Sequence, residues 1–457
     1  MTSQITTRQI RHKPTATGAV ERQLSDWTAD VFNVRDFGAT GNGSTNDSTA
    51  VQACITAAQA AGKEVYFPAG TYVISSLGAQ SGRLLLCGDG NATLLGTLTY
   101  TQSSFPTAAD TATPLTTSAA YFQAKGLNFQ AVSGYALQLT TPEQTQFLST
   151  FDLSNCRFFG PKGLLARQMI GFQIHDCEFN NSVAGARFES CTNGQVVLCR
   201  FQNQAESGVW ITRDASDVNR YGGENIKFVL CEWAVCTYGL VVDQHNWLAL
   251  DSCLIDYCAV PLFLSGAKYA KASNSYFGAS NTAVSRFSAV SGYLAPVTSG
   301  IALYGRPGGS PSGSRIVGFT CHNCEFINYV GSSNQPIVYI DGYISGTYPM
   351  SGGDVSFYDC LLLATAAHSA TTLLQISAVQ MARVIGCRFN SYNKSSSMAN
   401  AYQLTNCMVP LGHSNDFQNC TQSSVAVAST NEKMLASVYV QAGDPGTIGA
   451  GNIWVQP

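Results

Sequence analysis

Residues 170–180 read IGFQIHDCEFN and residues 192–202 read TNGQVVLCRFQ. The same phrase returns as IKFVLCEW (226–233), LALDSCLI (248–255), VSFYDCLL (355–362) and ARVIGCRF (382–389). Each is a short apolar run, then Cys, one unrestricted residue and a large apolar residue. Aligned on that position, Cys156, Cys177 and Cys199 are 21 and 22 residues apart, and Cys231, Cys253 and Ser275 are 22 and 22 apart. Cys387 and Cys407 are 20 apart, and Cys324 and Cys360 carry the phrase with longer gaps. A period near 20 residues is the signature of a solenoid.

A second marker follows each Cys after about eight residues: GARF at 185, GVWI at 208, GLVV at 239, PLFL at 261, GIAL at 300 and PIVYI at 336. A third short apolar run precedes the next Cys. Three short strands per repeat, bounded by turn residues, make one coil of a parallel β-helix. Apolar spacing of two and frequent β-branched residues argue against a helical solenoid. The residue before the Cys is often Asn, Asp or Ser, as at Asn155, Asp176, Ser252, Asn274, Asn323, Asp359, Asn406 and Asn419. Such residues tolerate the left-handed bend that turns one strand into the next. Cys then points inward, the next residue outward and the large residue inward. Coils lie about 4.8 Å apart, so the cysteines are expected to stack as a buried, reduced column.

The bulk composition fits. The chain has 457 residues, 45% hydrophobic and 12% charged, with net charge −3. It is too apolar for disorder and lacks a general basic surface for nucleic acid. MTSQITTRQIRHKP has no apolar signal core, and no run of eighteen apolar residues exists, so a soluble protein made without export or membrane insertion is expected. Sixteen cysteines in such a chain argue for a packing role over a disulfide framework. CHNC at 321–324 looks like half a zinc site, but Cys324 falls on the column and no second pair has ligand spacing. No metal or cofactor is expected. The outward residues Arg157, Glu178, Arg200 and Glu232 form an alternating charge ladder that fixes register.

Upstream, Asn46 or Asp47 can cap a helix over STAVQACITAAQAA, with Gly62 ending it. KEVYFPAGTYVIS then reads strand, turn, strand. A helix here closes the open end of the solenoid. The stretch NVRDFGATGNGSTNDSTAVQACI followed by VYFPAGTYVIS resembles the opening of the pectate-lyase-like superfamily of right-handed parallel β-helices, especially bacteriophage tailspikes and capsule depolymerases. GAVERQLSDWTADVF is similar to their lead-in. The motif covers about 45 residues and speaks for fold more than activity.

The resemblance implies a homotrimer on the virion tail that recognises a bacterial surface polysaccharide. Residues 1–30, with Arg8, Arg11 and Lys13, would then attach to a phage tail or adaptor protein. The resulting division is an attachment segment (1–30), opening coils and cap (31–125), a β-helix body (126–424), and a C-terminal cap or trimer contact (425–457).

In a β-helix, function sits in corner insertions. Most coils reach the next Cys in 11 residues after the middle strand. Three take 20 or 21, through 212–225, 304–315 and 341–354. All leave from one corner, so stacking makes walls with short turns between them. Trp210, Tyr221, His245, Trp247, Tyr269, Tyr304 and Tyr343 would line the groove, with Asp341 among its polar contacts. Aromatic rings with carboxylates suit sugars. Glycoside hydrolysis needs two facing carboxyls, and Asp243 with Asp214, Asp217 or Glu224 meets that need. Hydrolase is favoured over lyase. The alternative is a non-catalytic receptor-binding or structural tail protein.

Overall fold

The computed structural model describes residues 31–101, 121–140, 150–214, 223–280, 300–306, 316–330, 335–342, 353–365, 372–391 and 400–418 apart from 406 and 408, with short pieces among 11–23, 438–440 and 453–455. Among the described residues, thirty-five strands join in one continuous sheet, paired parallel from coil to coil. The chain is a parallel β-helix, as the repeat predicts, and an α-helix caps its first coils.

One coil shows the geometry. Ala249–Asp251 lies on a first face, Leu254–Cys258 on a second and Val260–Ser265 on a third. Ser252 (φ 54°) and Tyr257 (φ 51°) bend the chain around the second face, and Gly266 (φ 63°) and Tyr269 (φ 56°) bend it back from the third. Each bend is followed by a buried residue, in turn Cys253, Cys258, Ala267 and Ala270. The coil therefore has four corners, each a left-handed residue followed by an inward one. A left-handed backbone costs an ordinary side chain about 1–2 kcal/mol, which explains Asn, Asp and Ser at the first corner. Leu198, Leu230, Trp247, Tyr257 and Tyr269 nevertheless adopt it. Ladder hydrogen bonds hold them there, such as Leu230 N to Asp251 O at 3.1 Å and Trp247 N to Lys268 O at 2.8 Å.

Cys156, Cys177, Cys199, Cys231 and Cys253 stack behind the first corner, and Cys324, Cys360 and Cys387 continue beyond Ser275. All are buried free thiols. Cys177 Sγ donates to His175 O at 3.3 Å and Cys199 Sγ to Val197 O at 3.3 Å. Ser275 takes its place in the column, its Oγ accepting from Cys253 N at 3.1 Å and donating to Ser273 O at 2.7 Å. One expectation is corrected. Cys407 is buried but stands in another column, because it follows the third-face strand Asn400–Thr405, which pairs with Thr372–Ser377. The column beyond Cys387 continues at Asn415, whose Oδ1 accepts from Cys387 N at 2.8 Å.

The large inward residues stack too. Rings of Phe129, Phe158, Phe179, Phe201 and Trp233 follow at 5.2, 4.4, 4.7 and 5.1 Å between centroids. Outside them, Arg157 lies 3.7 Å from Glu178, and Arg200 Nε lies 3.0 Å from Glu232 Oε2. These pairs are well exposed and worth at most about 1 kcal/mol.

The cap helix α1 spans Ser48–Ala61 and ends at Gly62 with φ 66°. It buries Val51, Cys54, Ile55 and Ala58 on the first coils. Asn46 Oδ1 accepts from Ser48 N at 3.1 Å and Ser48 Oγ at 2.6 Å. Asp47 makes no cap bond. Its carboxylate turns back to Thr40 N at 2.7 Å and Gly41 N at 3.2 Å, tying the preceding loop to the helix start.

Candidate functional site

The third-face strands end on polar residues. Parallel pairing stacks Arg167 on Glu189 and Glu189 on Thr212. Asp243 follows Thr212 and pairs with Ser265, which pairs with Arg306. Asp341, next along, pairs with Ser377. The three long excursions leave after Thr212, Arg306 and Asp341, that is, from this one column.

Two carboxylates here have different surroundings. Asp214 is 2% exposed. Its Oδ2 accepts from Gln168 Nε2 at 2.9 Å and lies 3.7 Å from Arg167 Nε, and its N donates to Ser190 Oγ at 3.0 Å. Arg167 Nε also donates to Glu189 Oε2 at 2.7 Å, while Arg187 Nε lies 2.7 Å from Glu189 Oε1. Asp214 and Glu189 thus share an arginine. Asp243 is 9% exposed, and Thr212 Oγ1 donates to its Oδ2 at 3.2 Å. Its Oδ1 has no partner of good hydrogen-bond geometry. Burial raises the Asp243 carboxyl above its ordinary value, and the Ser265 and Thr212 hydroxyls with Arg306 and Arg213 pull it partly back. Carboxyls whose surroundings differ in this way, one raised by burial and one ion-paired, are the electrostatic setting of an acid–base pair.

Other residues singled out in the sequence fall differently. Trp247 and Tyr269 come together at successive fourth corners, stacked at 5.6 Å and 17°, and 48% and 44% exposed. The asparagines before them in that column bond similarly, Asn225 Nδ2 to Asn193 Oδ1 at 2.8 Å. Glu224 lies beside them, partly buried and bridged to Asn246. Trp210 is corrected from a groove-lining ring. It faces outward on the third face but is buried with Tyr238, Val241, Val260 and Phe263, and the Arg187 guanidinium lies 4.6 Å over its ring. His245 is also corrected. It follows the left-handed Gln244 (φ 56°), so it points inward and is fully buried.

Asp341 accepts from Ser377 Oγ at 3.0 Å. It stands three coils from Asp243, roughly 14 Å at 4.8 Å per coil, too far to share one bond. Tyr304 stacks on Tyr339 at 5.4 Å. Asp217, Tyr221, Tyr343, Arg8 and Lys13 lie outside the described residues, and Arg11 is in the two-residue strand Arg11–His12, paired with Arg22–Gln23.

Sequence reasoning missed Arg167, Arg187 and Glu189. The available signal was ARFE at 186–189, where residues two apart on a strand share its outer face. A cleft of about 340 Å³ lies elsewhere, over Arg157, Glu178, Arg200 and Glu232. Its two arginine–glutamate pairs already satisfy one another, so it is a poorer candidate. Among the described residues, no group of three or more His, Cys, Asp or Glu is placed to hold a metal ion.

The fold is a parallel β-helix. Residues 31–229 match the family model described as rhamnogalacturonase A/epimerase, pectate lyase-like. Over 63 residues, 14% of this chain and 3% of the relative, it is 49% identical to mannuronan C5-epimerase AlgE3 of Azotobacter vinelandii. Over 68 residues, 15% of this chain and 8% of the relative, it is 41% identical to the tail spike protein of an Escherichia phage. These matches span only a small part of the relatives' own length.

Among solved structures, the A-module of Azotobacter vinelandii mannuronan C-5 epimerase AlgE4 superposes with TM-score 0.53 at 15% identity, covering 89% of this chain and 100% of that one. PfbA, a surface adhesin of Streptococcus pneumoniae, superposes with TM-score 0.55 at 12% identity, covering 88% and 93%. At such identities the likeness is one of fold.

Proposed function

We propose that this chain is a tailspike-type protein that binds a bacterial surface polysaccharide along its third and fourth corners and cleaves it by hydrolysis. The observation that carries this reading is the contrast between Asp243, whose carboxyl is raised by burial, and Asp214, which is held by Arg167 and Gln168. Asp243 donates its proton to the glycosidic oxygen as the bond to the anomeric carbon breaks. Asp214 takes a proton from the water whose oxygen forms the new bond. Trp247 and Tyr269 hold a sugar ring by its C–H face. Relatives named as a mannuronan C5-epimerase and as a tail spike match short stretches of the chain at 49% and 41% identity, which supports this reading.

Incubation with capsule, exopolysaccharide or O-antigen, followed by assays for new reducing ends and for unsaturated products, tests the reading. Reducing ends without unsaturation support hydrolysis, and unsaturation indicates lyase chemistry. The burial of both Asp243 and Asp214 favours a second reading, a binder that does not cleave. Binding with no products of either kind would establish it. Virion attachment through residues 1–30 and assembly as a trimer belong to the same proposal. A chain starting at Val31 should still trimerise in sedimentation analysis but fail to join particles.

A further inference from the structure

The second face carries an irregularity that the proposed cleavage site does not use. Leu254 pairs with Tyr276 and Ile255 with Phe277, but the register shifts before Cys258 pairs with Ala279. The later coil is one residue short at its second corner, so Gly278 stands where the earlier coil has both Asp256 and Tyr257. A Cβ at Gly278 would lie 2.1 Å from Asp256 Oδ1 and 3.0 Å from both Tyr276 Cε1 and Tyr329 Cε2. The neighbouring side chains have closed over the missing corner.

Tyr257 comes from the coil before and Tyr329 from the coil after, nominally about 10 Å apart. Their rings stack at 5.7 Å and 12°. The hydroxyls of Tyr276 and Tyr329 are hydrogen-bonded to each other. Tyr257 is 50% exposed, Tyr329 36% and the adjoining Leu254 40%.

We propose that these three tyrosines form a second saccharide-binding subsite that takes the apolar face of a neutral hexose. The inference rests on the reading that the chain handles polysaccharide. The platform is amphipathic, as a sugar requires: contiguous rings for C–H groups, with phenol hydroxyls and the Asp256 carboxylate at the edge for sugar hydroxyls. Asp256 Oδ1 is fixed by Tyr257 N at 2.8 Å. Glu325 pairs beside Tyr276 and is exposed. Two carboxylates at the rim disfavour a uronic acid, so the sugar is neutral. The second corner lies across the coil from Asp243 and Trp247, so one platform anchors the polymer while the other edge acts on it.

Affinity electrophoresis of the full chain, in gels containing dextran, laminarin or galactomannan, tests this, with alginate as the acidic control. At least one neutral polymer should retard the protein. Tyr257→Asn keeps a residue suited to the left-handed corner, and Tyr329→Ala removes the other ring. Each should weaken retardation by about tenfold, whereas Lys227→Gln, exposed on the first face and outside both sites, should leave it unchanged. Retardation by none of the neutral polymers, or by alginate alone, overturns the proposal. So does retardation that both tyrosine variants retain, or a fall in sedimentation mass in Tyr257→Asn, which would make the platform a subunit contact. Loss of cleavage in Asp243→Asn is read separately, so the two proposals fail independently.

Discussion

Replacing Arg167 by Met separates a buried ion pair from an exposed one within a single fold. Arg167 serves Glu189 at 2.7 Å and Asp214 at 3.7 Å, and those carboxylate side chains are only 6% and 3% exposed. Removing one partner of a fully buried pair costs about 3–5 kcal/mol, because the remaining charge is stranded. Three facts reduce that figure here. The Arg167 side chain is itself 37% exposed. Glu189 keeps Arg187 at 2.7 Å, and Asp214 keeps Gln168 at 2.9 Å. The expected loss is about 2–3 kcal/mol.

Arg200→Met provides the comparison. Its pair with Glu232 at 3.0 Å is 54% and 36% exposed, so the loss should stay below about 1 kcal/mol. Urea unfolding followed by circular dichroism and tryptophan fluorescence, with unchanged m-values, gives both numbers. Losses within about 0.5 kcal/mol of each other, a separation that additivity errors alone can produce, would refute the reasoning that burial of Glu189 and Asp214 makes the Arg167 pairs worth more than the exposed pair of Arg200.

Phe179 stacks on Phe158 and Phe201 at 4.4 and 4.7 Å. Phe179→Leu keeps most of the apolar volume and should cost about 1–3 kcal/mol for two lost ring contacts, again read by urea unfolding. Asp243 has a raised folded pKa. Its protonated form favours folding fully below the ordinary carboxylate value, and that contribution is lost as pH rises through the folded value. Asp243→Asn should therefore raise the melting temperature relative to wild type at pH 8 and lose that advantage near pH 3, while abolishing turnover. A small aromatic disulfide reagent should leave the column thiols untouched in the native protein and label them only after unfolding. Among the described cysteines, partly buried Cys87 should react first, with a thiol pushed up to about 12 by burial.

The repeat made most of the fold legible because inward positions recur in chemistry as well as in spacing. Cys177, Cys199 and Cys231 each sit after an apolar strand and before a large ring, and only one geometry places all three inside. The cap helix was legible for the same local reasons that form it. Cys407 was misassigned because its flanking residues suit any corner, and only the pairing of Thr405 with Ser377 tells which.

The aromatic corners were harder still. Trp247, Tyr257 and Tyr269 occupy a backbone region that their side chains do not favour, and neighbouring coils impose it. The burial of Trp210 depends on a second apolar cluster outside the bore, which strand alternation reads as solvent-facing. Asp243 was found from its place after GLVV, whereas the arginines that act on it, Arg213 and Arg306, come from the coil before and from two coils later.

The column at the third corner also bears on how such a chain changes over generations. Excursions depart after Thr212, Arg306 and Asp341, yet the ladder around them is intact: Ser190 N reaches Thr212 O at 2.9 Å, Gly266 N reaches Arg306 O at 2.9 Å and Gly342 N reaches Ser377 O at 2.9 Å. Lengthening such an excursion leaves those bonds in place, and doubling it costs only about 0.6 kcal/mol in closure entropy. Selection for new surface specificity can therefore lengthen, shorten or exchange these three segments without renegotiating the core. The lost corner residue at Gly278, by contrast, forced three tyrosines and an aspartate to rearrange around it. Lineages of this fold should differ mainly at the three departure points, and two specificities should be exchangeable between chains by grafting at Thr212, Arg306 and Asp341.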